Sequence, residues 1–140
     1  MALISTQTLA GDAGLVTSKS KFGFEETQQR LEAAIKAKGL TLFAKVNHGE
    51  NAAQAELKMN PAIVTLFGGA KGGTPFMQAA ATAGIDLPMK ALVWEDASKQ
   101  VFVSYNSLEY LKTRHNISGL EELSGKLNGL LAAIAKAATE

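Results

Sequence analysis

The chain has 140 residues, a formal net charge of +1 and no cysteine. Its length suits one domain with a single core over residues 1–140. Near-neutral charge excludes strong electrostatic attraction to nucleic acid or anionic membranes, and the missing cysteine excludes disulfides, thiolate chemistry and cysteine-ligated metal centres. No stretch approaches the ~20 apolar residues of a membrane helix. MALISTQTLAGDAG lacks the basic start and long apolar centre of a signal peptide. The expectation is a soluble protein, cytoplasmic or a mature exported form, with no nucleic-acid or membrane partner.

In chain order, GLVTSKS (14–20) alternates weakly and reads as an edge strand. EETQQRLEAAIKAKG comes next, with Thr27, Leu31, Ala34, Ile35 and Lys38 on one helical stripe. Glu25 and Glu26 in its first turn and Lys36 and Lys38 in its last suit the helix dipole, and Gly39 stops it. LTLFAKV (40–46) alternates as a half-buried strand, with Leu40, Leu42, Ala44 and Val46 on one face. Asn47-His48-Gly49 ends it, and a short alanine-rich helix covers about 50–56.

The stretch PAIVTLFGGAKGGTPFM (61–77) organises the rest of the chain. Its apolar run reads as a central strand buried on both faces, with Pro61 at the first position, where no ladder bond is lost. Gly68, Gly69, Gly72 and Gly73 then form a flexible loop around Lys71. Thr74 is a suitable N-cap and Pro75 a suitable first helical residue, so a helix is predicted from there to Gly84. A helix N-terminus facing a glycine loop is one way to hold an anion; a turn needed only for packing is the other. The phosphate-loop pattern fails, because Thr74 stands where its lysine belongs, and no dinucleotide fingerprint is present.

Ile85-Asp86-Leu87-Pro88 reads as extended. Residues 89–95 and 100–105 form a predicted antiparallel hairpin, with Trp94 and Tyr105 a cross-strand or core pair. Ser107 caps a short helix to about His115. Ser118 and Glu121 match a capping box, and Leu120, Leu123, Leu127, Leu130, Leu131 and Ile134 form one apolar stripe behind it. Gly125 and Gly129 each cost ~1 kcal/mol there, which close packing against backbone would offset. The sum is α+β: an antiparallel or mixed sheet with helices packed mainly on one face.

By the hairpin, the residues resemble family 302 of the domains of unknown function, small bacterial and archaeal proteins. The matching segments are Phe24 to Thr27, Asn47-His48, Phe67-Gly68 with Gly73-Thr74 and Met77, and Asp86-Leu87-Pro88 with Lys90. Val93 to Asp96, Tyr105-Asn106 and Arg114-His115 complete the set, over about residues 16–131. Gly69-Ala70 replaces the family's usual Asn-Pro, Ser107-Leu108 its Asp-Pro, Lys99 a turn glycine and Asn116 another glycine. A left-handed non-glycine at Lys99 would cost ~1–2 kcal/mol. The resemblance implies a TATA-binding-protein-like α+β fold and a tendency to dimerise, and no established activity.

The candidate site gathers residues at strand ends and loops: His48, Gly68, Gly69, Lys71, Gly73, Thr74, Asp86 and Asn106. If they share one end of the sheet they line a small pocket, and the chain is a homodimeric module for a small molecule. Asp86 is read as satisfying backbone donors at a bend, and His115 as a cation-capable group against a helix C-terminus. No metal is expected and no cofactor is indicated. The alternatives are an enzyme using His48 as acid or base with Asp86 or Tyr105, and a structural domain dimerising through a sheet edge or the helix over 120–134.

Overall fold

The computed structural model describes residues 8–10 and 13–140. Its elements are β1 (Thr8–Ala10), β2 (Leu15–Lys19), α1 (Phe24–Ala37), β3 (Thr41–Asn47), α2 (His48–Gln54) and β4 (Ala62–Gly68). Then come α3 (Ala70–Ala79), a 3-10 helix (Ala81–Ile85), β5 (Met89–Glu95), β6 (Val101–Asn106), α4 (Leu108–Arg114) and α5 (Glu121–Thr139). The strands form one six-stranded sheet ordered β1-β2-β6-β5-β4-β3. Every neighbouring pair is antiparallel, so the fold is α+β with an antiparallel sheet.

Register divides the sheet into two unlike faces. Ile63 pairs with Val93, and Val93 with Val103; Thr65 pairs with Ala91, and Ala91 with Tyr105. Side chains alternate along each strand, so these residues share a face. That face carries the core: Phe67, Val93 and Val103 are fully buried against Leu31 and Ile35 of α1 and Leu131, Ile134 and Ala138 of α5. Each such aliphatic or aromatic side chain contributes ~1.5–3 kcal/mol of transfer free energy. Thr27, fully buried in α1, donates to the Gly23 carbonyl at 2.8 Å and meets the Ser20 hydroxyl at 2.7 Å.

The opposite face carries Val64, Leu66, Leu92, Trp94 and Phe102, all only partly buried. β4 therefore has one helix-covered face, where its unbroken apolar run had suggested two. Trp94 stacks on its register partner Phe102 at 4.6 Å and donates to Ser104 at 2.9 Å. It does not pair with Tyr105, which faces the helices; the hairpin register puts the two rings on opposite sides.

Four other expectations change. β2 is internal rather than an edge, because β1 pairs along it. The alternation of β3 breaks at a bulge between Leu42 and Ala44, leaving Phe43 56% exposed. Ser118 does not cap α5: Leu120 takes the N-cap position in the left-handed region at φ 61° and packs on the core. Its side chain is partly buried there, where Ser118 would have supplied a cap of ~1 kcal/mol. Finally, an added Cβ at Gly125 or Gly129 would meet nothing within 4 Å, so those glycines do not serve close packing.

Candidate functional site

The site begins where β4 ends. Gly68 has φ 155°, a conformation closed to other residues, and turns the chain from the sheet into α3. The glycine stretch is not a loop: α3 starts at Ala70, with Gly69 as an extended N-cap whose carbonyl accepts from Gly72 and Gly73, both at 3.1 Å. Pro75 lies inside this helix rather than at its first position. The helix ends at Ala79, and Gly84 belongs to the following 3-10 helix rather than to its cap. Propensity opposes such a helix; tertiary packing supplies the stability. Phe76 is fully buried, and a Cβ on Gly72 would come within 3.3 Å of Leu127 in α5. The missing side chain lets α3 lie close against α5.

Beneath α3 is a cavity of about 460 Å³. That volume falls within the ~300–1,000 Å³ of small-molecule sites. β4 supplies Leu66 and Gly68, and α3 with its N-cap supplies Gly69, Ala70, Gly72, Gly73, Thr74, Phe76 and Met77. The approach to β5 adds Leu87, Pro88 and Met89; Leu108, Leu127 and Phe43 complete the lining. Thr74 brings the one polar side chain among these residues. A pocket of about 30 Å³, sharing Leu87, Met89 and Leu108, lies alongside. It is more polar than the larger one, with Asp86, Lys90, Asn106 and Tyr110 on its walls. Lys90 donates to the Asp86 carbonyl at 2.9 Å; burial pushes its amine below the usual lysine range, and the Asp86 charge offsets part of that.

Of the eight residues read as a site, the fold brings six near this end of the sheet. Gly68, Gly69, Gly73 and Thr74 line the cavity, and Asp86 and Asn106 line its small neighbour. Lys71 is exposed on α3 and lines neither. His48 is placed elsewhere. Thr41 pairs with Gly68 while Asn47 pairs with Ile63, so His48, which opens α2, sits at the far end of β4. Five residues of strand separate those ends, roughly 17 Å. The enzyme reading built on His48 with Asp86 or Tyr105 loses its geometry.

Asp86 is bound differently from the sequence reading. Its carboxylate accepts from His115 Nε2 at 2.5 Å and from Arg114 at 3.2 and 3.4 Å, rather than from backbone donors. His115 is the C-cap of α4, but its ring is held between Asp86 and Thr82 Oγ1, the latter 2.8 Å from Nδ1. The presence of both Arg114-His115 and Asp86-Leu87-Pro88 among the family-like segments was the available signal. The apolar cavity residues carried almost none, since Leu66, Phe76, Met89, Leu108 and Leu127 read as core. Phe43, aromatic on the polar side of an alternating strand, was the exception.

Among the described residues, no helix is long and apolar enough to cross a membrane. Three curated proteins from Brucella suis, Brucella abortus and Brucella melitensis, named fluoride-specific ion channels FluC 1, FluC 1 and FluC 2, are each 40% identical over 106 residues. The match takes in 76% of this chain but 42%, 39% and 39% of theirs, so it spans about two-fifths of those relatives. A crystal structure of an uncharacterized conserved DUF302 protein from Bacillus stearothermophilus has a TM-score of 0.80 at 19% identity. It covers 89% of this chain and 98% of its own, a likeness of fold alone. The profile of the family described as domain of unknown function DUF302 matches residues 16–134, and the chain belongs to that family.

Proposed function

We propose that the chain is a single-domain, homodimeric binding module whose ligand is a small, mainly apolar molecule held beneath the glycine-bearing helix α3. The observation that carries this is the lining of the 460 Å³ cavity, apolar apart from Thr74. Such a lining recovers hydrophobic free energy from an apolar guest and offers a phosphate or sugar few partners. It favours an apolar ligand over the anion suggested by a helix N-terminus. Native mass spectrometry of protein purified from its source tests the reading: a retained apolar molecule supports it. Chains consistently free of ligand, and indifferent to added apolar compounds, refute it.

Dimerisation is read through the open sheet face. The stripe of α5 is used internally, since Leu131 and Ile134 are buried in the core. Six strands of roughly six residues give a face of about 500–600 Å² in projection. With side-chain relief this approaches the ~800 Å² per partner of a stable interface. Light scattering decides it: a dimer that Leu92→Lys converts to monomer is expected, and a strict monomer at micromolar concentration refutes it.

A second reading rests on the named relatives. As a family member 40% identical to part of proteins named fluoride channels, the chain would act as an accessory to fluoride handling. Fluorine NMR tests it: a saturable change in fluoride exchange on adding the chain supports the reading, and none opposes it.

A further inference from the structure

We propose that Thr82 is a second site, adjoining the small polar pocket through Asp86: a nucleophilic hydroxyl, activated by His115 and Asp86, that takes an acyl group from activated carboxylic esters. Thr82 Oγ1 lies 2.8 Å from His115 Nδ1, and His115 Nε2 lies 2.5 Å from the Asp86 carboxylate. A carboxylate only accepts, so the shared proton belongs on Nε2. In its neutral form the ring then turns the Nδ1 lone pair toward the threonine hydroxyl. An imidazole so placed serves as base for an adjacent nucleophile while a carboxylate fixes its tautomer, with the two ring nitrogens exchanged relative to the usual triad.

The surroundings separate the working parts. The His115 side chain is 5% exposed and that of Asp86 14%, which shields their bond from competing water. Arg114 donates to both carboxylate oxygens and to the Tyr110 hydroxyl at 2.9 Å, holding Asp86 in place. Thr82 is exposed on the 3-10 helix, so an ester reaches the one member that must touch it. A mere tie between α4 and the 3-10 helix needs no exposed hydroxyl on the imidazole.

In the step, Thr82 Oγ1 attacks the acyl carbon and an Oγ1–C bond forms. The bond from that carbon to the leaving oxygen breaks, and the leaving group departs with the electron pair. The hydroxyl proton passes to His115 Nδ1 and from there to solvent or the leaving oxygen. No oxidation state changes. Thr82 and His115 are the reacting groups, and Asp86 is a positioning residue.

The test uses the full chain and p-nitrophenyl acetate, with peptide mass spectrometry to place the acetyl group. Alkaline hydroxylamine removes a threonine ester and leaves lysine amides, which separates true product from background. Thr82 is expected to be acetylated about tenfold or more faster than exposed Thr113, and His115→Gln or Asp86→Asn to slow it by ~10²-fold or more. Thr82→Ser retains labelling at that position and Thr82→Val abolishes it. Should a His115 or Asp86 variant fail to fold by circular dichroism, the Thr82 to Thr113 ratio in the wild type still decides. Equal rates at the two threonines, or labelling indifferent to His115, would overturn the proposal.

Discussion

Replacing Gly125 and Gly129 by alanine should stabilise the protein, although both lie on the helix that closes its core. In a helix interior glycine costs ~1 kcal/mol relative to alanine, mostly through the entropy of the unfolded chain. That gain is lost only where the new methyl group collides. At both positions an added Cβ meets no neighbour within 4 Å, and both residues are exposed. The pair therefore gains about 2 kcal/mol, raising Tm by roughly 5–10 °C in a domain of this size. Leu127, the cavity residue between them, points the other way around the helix, so ligand binding is unaffected. Urea unfolding followed by Trp94 fluorescence reads the change as a higher midpoint with an unchanged slope. Gly72→Ala is the contrast: its Cβ comes within 3.3 Å of Leu127, which cancels part of the same helical gain. A midpoint that stays put or falls in the Gly125/Gly129 double variant would refute the reasoning and point to a partner backbone on that face.

Three further outcomes are expected from single groups. Gly68→Ala should destabilise by about 1–3 kcal/mol in urea unfolding, because φ 155° is strained for alanine even though its methyl would meet Met89 at an ordinary 3.8 Å. Lys99 occupies the left-handed region at φ 66°, so Lys99→Gly should stabilise by ~1 kcal/mol in the same assay. Burial opposes ionisation of Glu32, but hydrogen bonds from Gln28 and Lys45, with the charges of Lys45 and Lys36, together hold its carboxyl below the usual carboxylate value of 4.5. A depressed folded pKa contributes stability that is present above pH 4.5 and lost as pH falls through the folded value. Glu32→Gln should flatten that part of the stability profile; an unchanged acid limb would contradict it.

Much of the fold was legible because its signals were local. The stripe of Thr27, Leu31, Ala34 and Ile35 in α1 and the hairpin of β5 and β6 needed only period and turn chemistry. Lys99 was readable as a left-handed residue from the glycine it replaces. What was not legible depended on distant partners. Gly72, Gly73 and Pro75 argue against a helix until Phe76 is seen buried and Leu127 is seen filling the space that Gly72 leaves. Leu120 takes the N-cap place of Ser118 through a contact with the core that no local pattern shows. At the site, the glycines and Thr74 were found because backbone freedom shows in sequence. His48 was misplaced because a strand end carries no record of which end of the sheet it occupies. The partners of His115, Thr82 and Asp86, are 33 and 29 residues away, beyond the reach of any local pattern.

Whether the cavity beneath α3 takes an apolar guest decides the proposed function, and a titration of the full chain with the uncharged dye Nile red measures that directly. The result expected is saturable, one-to-one, blue-shifted emission that Gly73→Leu weakens about tenfold or more by filling the space. Gly73 is suited to the role because its added Cβ meets Leu87 at a comfortable 3.6 Å, so the variant should fold. Absence of saturable binding, or binding that Gly73→Leu leaves untouched, would contradict an apolar guest in this cavity.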